Sequence, residues 1–321
     1  MLKVQQRLPS LLDPPVAFAH RGARAHAPEN TIESFTLALR LGATGLESDV
    51  WITADGVAVL DHDGVVRRRG RRTPIDRVKR EDLPDHIPTW ADMLEACPGD
   101  HHVSLDVKNP DAFDAVIATV RSVRPDMESR LWLCHHDWNV VARWRSSTSA
   151  KLVDSTRLQR IKEGPERRAA ILAENAIDCI NMHHTDWTGG LVTLFHRFDI
   201  LTLGWDMQQD HVLHDAFRMG LDGVFSDHTD RMMEAYASQI GTGPWTSSQS
   251  QAQALAGQIT TNARPRILSI SIGPKSRLSK LCTRLSPITN TMSSGTVWGA
   301  MSVCVPHRAD GSMAATCSRF K

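Results

Sequence analysis

Nowhere does the chain carry an uninterrupted apolar stretch of membrane-spanning length, and residues 1–15 hold no apolar run as long as a signal peptide's. These absences argue against a helical membrane span and predict a cytoplasmic protein. The six cysteines (Cys97, Cys134, Cys179, Cys282, Cys304, Cys317) form no C-x-x-C pair and no metal-ligand spacing, so ordinary reduced thiols are expected. Net charge is also nearly missing, at +1, but it is unevenly spread. From Gly241 onward there are nine Lys and Arg against one acid, and before it 28 bases against 35 acids. An acidic body argues against a nucleic-acid-binding surface, and the basic tail reads as a solvated segment. With 41% hydrophobic residues over 321 positions, the composition is that of a globular protein with one barrel-sized domain or two smaller ones.

What is present concentrates between His20 and His62. The apolar run Val16-Ala17-Phe18-Ala19, bounded by Asp13-Pro14-Pro15, reads as a short buried strand with His20-Arg21-Gly22 at its exit. Pro28-Glu29-Asn30-Thr31-Ile32-Glu33 reads as a capping box in which Asn30 and Glu33 satisfy each other's backbone N–H groups. A helix is therefore expected from about Thr31 to Leu41, with Ile32, Phe35 and Leu39 on its apolar face and Gly42 past its end. Gly45 to Thr53 alternates as a strand and puts Glu47 and Asp49 on one face. Two carboxylates so close repel unless a proton or a cation lies between them, which points to a hard-metal site. Asp55-Gly56 then turns the chain into a short strand ending at His62.

In their order and spacing, His20-Arg21-Gly22, Pro28-Glu29-Asn30-Thr31, Glu47-Ser48-Asp49, Asp55-Gly56 and His62-Asp63 resemble the glycerophosphodiester phosphodiesterase family. The resemblance covers about Val16 to Tyr236. It implies a (β/α)8 TIM barrel, a divalent cation (Mg2+ or Ca2+), and His20 and His62 as general acid and base in hydrolysing a small glycerophosphodiester. Glu47 and Asp49 would be metal ligands. The third would be Asp106, in Asp106-Val107-Lys108, where the family pattern is Glu-x-Lys. The related sphingomyelinase D toxins also have Asp-x-Lys there. Arg21 and Lys108 would bind phosphate, and Trp205, which resembles the family's tryptophan at a strand end, would stack on glycerol. Asp227, closing Gly220-Leu221-Asp222-Gly223, is expected to be structural. Two alternatives share the resemblance: a phospholipase D-like enzyme acting on lysophospholipids or sphingomyelin, and a non-catalytic phosphodiester-binding barrel.

The rest of the chain alternates short apolar runs with amphipathic helices, the pattern of a wound parallel barrel. Ile87-Pro88-Thr89 opens a helix carrying Trp90, Met93, Leu94 and Cys97, and His102 to Lys108 alternates as what counts as a fourth strand. Further strands are expected near Leu131–Cys134, Leu152–Asp154, Ile177–Met182, Leu201–Trp205 and Gly223–Ser226. That makes nine, one too many, with either the Leu152 run or the Val57 run outside the barrel. The arginine-rich run from Gly64 to Arg80 reads as a solvated loop, and the adjacent histidines His101-His102, His135-His136 and His183-His184 as solvated or hydrogen-bonded side chains. The domain is expected over residues 13–240. Residues 241–321, Ser/Thr-rich and basic, are expected to be a disordered tail in which residues 265–272 alternate without an evident partner.

Overall fold

In the computed structural model, residues 6–68 and 70–241 are described, together with the backbone of 302–309 and 312–319. Eight parallel strands close a barrel: β1 (Val16–Ala19), β2 (Gly45–Ile52), β6 (His102–Val107), β7 (Leu131–His135), β8 (Lys151–Ser155), β9 (Cys179–His183), β10 (Leu201–Trp205) and β11 (Gly223–Ser226). Closure is direct, because β1 pairs with β2 on one side and with β11 on the other. Around it lie α1 (Ile32–Arg40), α2 (Trp90–Ala96), α3 (Ala112–Val123), α4 (Trp138–Trp144), α5 (Pro165–Glu174), α6 (Gly189–His196), α7 (Asp210–Arg218) and α8 (Thr229–Ile240).

The ninth strand is thereby placed. β3 (Ala58–Leu60) pairs antiparallel with β2 on the barrel's outside, with Leu60 opposite Val50. The Leu152 run is β8, a full barrel member, and the strand at His102 is the barrel's third rather than its fourth. In the arginine-rich run, where a loop was expected, β4 (Val65–Arg68) and β5 (Arg71–Pro74) form an antiparallel hairpin. Val66 and Ile75 are buried beneath it while Arg67, Arg71 and Arg72 are exposed, and none of the three lines the cleft described below.

Side-chain alternation divides the core in two. Leu46, Val50, Leu105, Leu133 and Ile180 face outward against the helices, joining Phe35, Trp90 and Phe217. The opposite parity fills the barrel with Val16, Phe18, Trp132, Cys134, Val153, Leu203 and Phe225. Phe18 stacks on Phe225 with centroids 4.7 Å apart and meets Trp132 edge-on at 5.7 Å. Gly45 makes room for it, since a Cβ there would lie 2.5 Å from the Phe18 ring. Continuing that parity toward the strand exits places polar groups, not apolar ones, at one mouth.

In the C-terminal segment β12 (Ser302–Ala309) pairs antiparallel with β13 (Ser312–Arg319). Their pairing was not foreseen in a tail expected to be disordered. The alternating run at 265–272 lies outside the described residues.

Candidate active site

Three segments build the near side of the mouth. After β1 the chain turns sharply, with Arg21 at φ 52° and Gly22 at φ 78°. A Cβ on Gly22 would run into Ser34, so only glycine fits this turn. The Arg21 backbone N–H donates to Glu47 Oε2 at 2.8 Å, tying the turn to β2. Helix α1 is capped by Thr31, whose side chain accepts from the Ser34 N–H, and the box is Thr31 with Ser34 rather than Asn30 with Glu33. Asn30 sits instead at φ 55°, a conformation Asn tolerates, and turns inward. Its amide donates to Asp49 Oδ2 at 3.3 Å and accepts from Ser48 Oγ at 2.7 Å.

The β2–β6 register sets Asp49 opposite Asp106, so Glu47, Asp49 and Asp106 enter one cleft of about 610 Å³ at the exits of the strands. The Lys108 ammonium stands between two of them, 2.5 Å from Asp106 and 3.0 Å from Asp49. Burial works against its charge, but Asp106 and Asp49 outweigh burial and hold it protonated well above the usual lysine range. The Arg21 guanidinium pairs with Glu29 at 3.1 Å, and its Nε lies 3.3 Å from Asp49 without the alignment of a hydrogen bond.

His20 leaves β1 beside this group. Its Nδ1 is 2.5 Å from Asp227 Oδ1, and its Nε2 is 3.8 Å from Glu47 Oε2. Burial lowers the imidazole pKa, but Glu47 and the Asp227 bond more than reverse that and raise it above 6.5. Glu47 is pushed up to about 7, mainly by burial and further by Asp49 and Asp106, while His20 and the Arg21 N–H pull it back. Asp227 is shifted the other way. Burial would raise it, yet the His20 contact keeps it below the usual carboxylate value. An ionised carboxylate only accepts, so His20 Nδ1 carries the proton and Nε2 faces the cleft.

Asp227 therefore does more than brace the barrel rim, as had been expected. Its signal was parity: Ala19 pairs with Ser226, so His20 and Asp227 follow at one level. His62 lies at the exit of β3, next to Asp61, whose N–H donates to the Asp49 carbonyl at 3.1 Å. Its ring is partly exposed, bonded through Nδ1 to Asp63 at 2.9 Å, and is not among the side chains lining the cleft. Trp205 does line it, with the Arg157 guanidinium 5.7 Å above the ring and His183 edge-on at 4.6 Å.

Among the described residues, ligand atoms come within 4.8 Å of one another in His26, His228 and Asp230 and in His183, His184 and Asp206; the three cleft carboxylates are not so gathered. Their chemistry nonetheless fits a hard cation, being all carboxylate oxygen. Glu47, its pKa pushed up to about 7 by burial and its acidic neighbours, marks an excess of negative charge that a cation would relieve.

A family model described as "Glycerophosphoryl diester phosphodiesterase family" matches residues 20–231. The Mycobacterium tuberculosis protein named "Probable glycerophosphodiester phosphodiesterase 2" is 25% identical over 252 residues, covering 72% of this chain and 92% of that one. Mouse glycerophosphodiester phosphodiesterase 1 is 31% identical over 151 residues, covering 41% of this chain and 45% of its own length. Among solved structures, an Oleispira antarctica phosphodiesterase in complex with the product sn-glycerol-3-phosphate superposes with TM-score 0.59 at 20% identity, covering 69% of this chain and 96% of that one. A glycerophosphodiester phosphodiesterase from Thermotoga maritima gives 0.59 at 20% identity, covering 68% and 97%. At these identities the structural likeness establishes the barrel.

Proposed function

Because the chain belongs to the glycerophosphoryl diester phosphodiesterase family, we propose that it hydrolyses small glycerophosphodiesters to glycerol 3-phosphate and an alcohol. One observation carries the reading: an imidazole fixed through Nδ1 by Asp227 presents Nε2 beside Glu47, in a cleft shared with Asp49, Asp106 and Lys108. The product seen in the Oleispira antarctica relative has the same chemistry.

In this account the substrate phosphate enters among Lys108, Arg21 and His20. Lys108 is a point charge for a non-bridging oxygen, and Arg21, anchored by Glu29, adds to the stabilisation of charge at phosphorus. His20 and His62 would share the two protons of the reaction, one imidazole taking a proton from the attacking hydroxyl and the other giving one to the leaving alkoxide. That requires the partly exposed His62 ring at the β3 exit to reach the bound substrate. Water supplies the atoms gained by the products. Glu47, Asp49 and Asp106 would hold the divalent cation, Mg2+ or Ca2+, which supplies Lewis-acid stabilisation of the phosphate when bound. Trp205 borders the space left for the rest of the substrate.

Sixteen of the nineteen residues lining the cleft are polar, with Cys134, Trp205 and Phe225 its apolar members among the described residues. That favours a small polar diester over the lysophospholipid or sphingomyelin alternative, which needs an apolar groove for its chain. The intact imidazole and carboxylate set weighs against a non-catalytic barrel. No helix of the described residues is long and apolar enough to cross a membrane, and a cytoplasmic setting remains part of the proposal.

Purified protein is assayed against a panel of glycerophosphodiesters and lysophospholipids, with and without chelator. The expected result is glycerol 3-phosphate from the small diesters, lost in chelator and restored by Mg2+ or Ca2+. His62→Ala is expected to lower turnover by about 100-fold or more. Turnover unaffected by chelator would remove the cation, and wild-type rates in His62→Ala would remove that histidine.

A further inference from the structure

The cleft's charges are almost entirely spoken for. Its Arg and Lys side chains are Arg21, Arg24, Lys108, Arg157 and Arg160. Arg21 pairs with Glu29 at 3.1 Å and Arg24 with Glu29 at 2.5 Å and Asp227 at 3.2 Å, while Lys108 pairs with Asp106 and Asp49. Arg157 forms a fork on Asp186, Nε at 2.6 Å and Nη2 at 3.2 Å. Arg160 alone has no acidic partner among the described residues, and its side chain is exposed to the cleft.

Its position gives that charge a meaning. Arg157 and Arg160 follow β8, the fifth barrel strand, while His20 follows the first, so the two ends of the cleft lie across the barrel from each other. A diester whose phosphorus sits by His20 and Glu47 therefore directs one half toward Arg160. Trp205 is the aromatic ring on that side, and a quaternary ammonium needs a cage of open ring faces. Arg157 stands over one face of Trp205 and His183 meets the ring edge-on, while Phe225, on the strand beside β1, is stacked on Phe18 at the His20 end. Asp206 is the acid on the same rim, and its carboxylate is engaged by His183 at 3.0 Å and by Gln208 at 3.3 Å.

We propose that Arg160 is a specificity-determining residue that binds an anionic group, a phosphate or a carboxylate, on the alcohol half of the substrate. The assignment of that half rests on the hydrolytic reading above. Guanidinium matches either anion with two parallel hydrogen bonds.

The test compares three diesters: bis(glycerophospho)glycerol, with a second phosphodiester; glycerophosphoglycerate, with a carboxylate and no ammonium; and glycerophosphocholine, with a fixed cation. Wild type, Arg160→Ala, Arg160→Lys and Arg160→Glu are each measured for kcat and KM. Calorimetric binding is measured in parallel on the same proteins. The wild type is expected to favour an anionic diester over the choline one, and the preference is expected to fall about tenfold or more in Arg160→Ala, carried by KM. Arg160→Lys should restore part of it, Arg160→Glu should reverse it, and added salt should weaken it. The arm on which the loss falls tells phosphate from carboxylate. Equal preference in wild type and Arg160→Ala, in binding as in KM, would overturn the proposal. Selective binding of an anionic diester that depends on Arg160, without turnover of any substrate, would overturn the hydrolytic reading and leave the subsite standing.

Discussion

Asp227 holds the His20 ring by one nitrogen, and the consequence is chemical as well as steric. With Nδ1–H bound to an ionised carboxylate, Nε2 is presented to the cleft and the imidazole pKa is raised. Asp227→Asn removes the charge and allows the amide to donate to Nδ1, selecting the wrong tautomer. Turnover is expected to fall by roughly 100- to 10,000-fold with KM little changed. The pKa of His20 should also drop, so the limb of the pH–rate profile that reports it moves to lower pH; an unmoved limb would reduce Asp227 to a brace. Glu47 and Asp49 were legible because alternation along one strand is a local property. Asp227 was not, because its role depends on β1 pairing with β11, a contact more than 200 residues away in sequence. Asn30 misled for a different reason. Asn and Thr are both good helix caps, and only the fold shows that Thr31 takes the cap while Asn30 turns to Asp49.

Elements were easier to read than their roles in the sheet. Helices α1 and α2 lie within about two residues of the positions their periodicity suggests, because an apolar stripe must meet the barrel wherever it is. Short apolar runs carry no such label: β3 and β8 look alike in sequence, yet one lies outside the barrel and the other completes it. The start of β6 makes a prediction of its own. His102 Nδ1 accepts from the Trp132 indole N–H at 3.2 Å, a bond only the neutral ring can make. Burial first, and Arg130 next, push the His102 pKa down to about 4. The folded-state value lies below the unfolded one, so this contribution to stability is present above pH 6.5 and is lost as pH falls toward 4. Urea unfolding across that window should show declining stability in the wild type. In His102→Gln, which keeps an acceptor without a titrating group, the decline should be shallower by up to about 3 kcal/mol. His101, also pushed down to about 4 by burial and Arg124, leaves a residual slope in both. Identical slopes would show that His102 titrates normally.

At the scale of the molecule, a parallel barrel brings the exits of eight strands together. Residues as distant in sequence as His20, Asp106 and Asp227 can thus share one cleft. The alternation of runs and stripes made that architecture legible, since a wound parallel sheet leaves its repeat in the hydrophobic pattern. The tail carries no comparable repeat, and the β12–β13 pair could not be read from it. Phosphorus chemistry in that one cleft underlies the proposed activity, and 31P NMR follows it without coupling enzymes. With a small glycerophosphodiester and Mg2+ or Ca2+, the wild type is predicted to replace the diester resonance with that of glycerol 3-phosphate. Folded His20→Ala, verified by its circular dichroism, is predicted to leave the diester intact over the same period. Equal conversion by both proteins, or none by either, would contradict the assignment of this cleft.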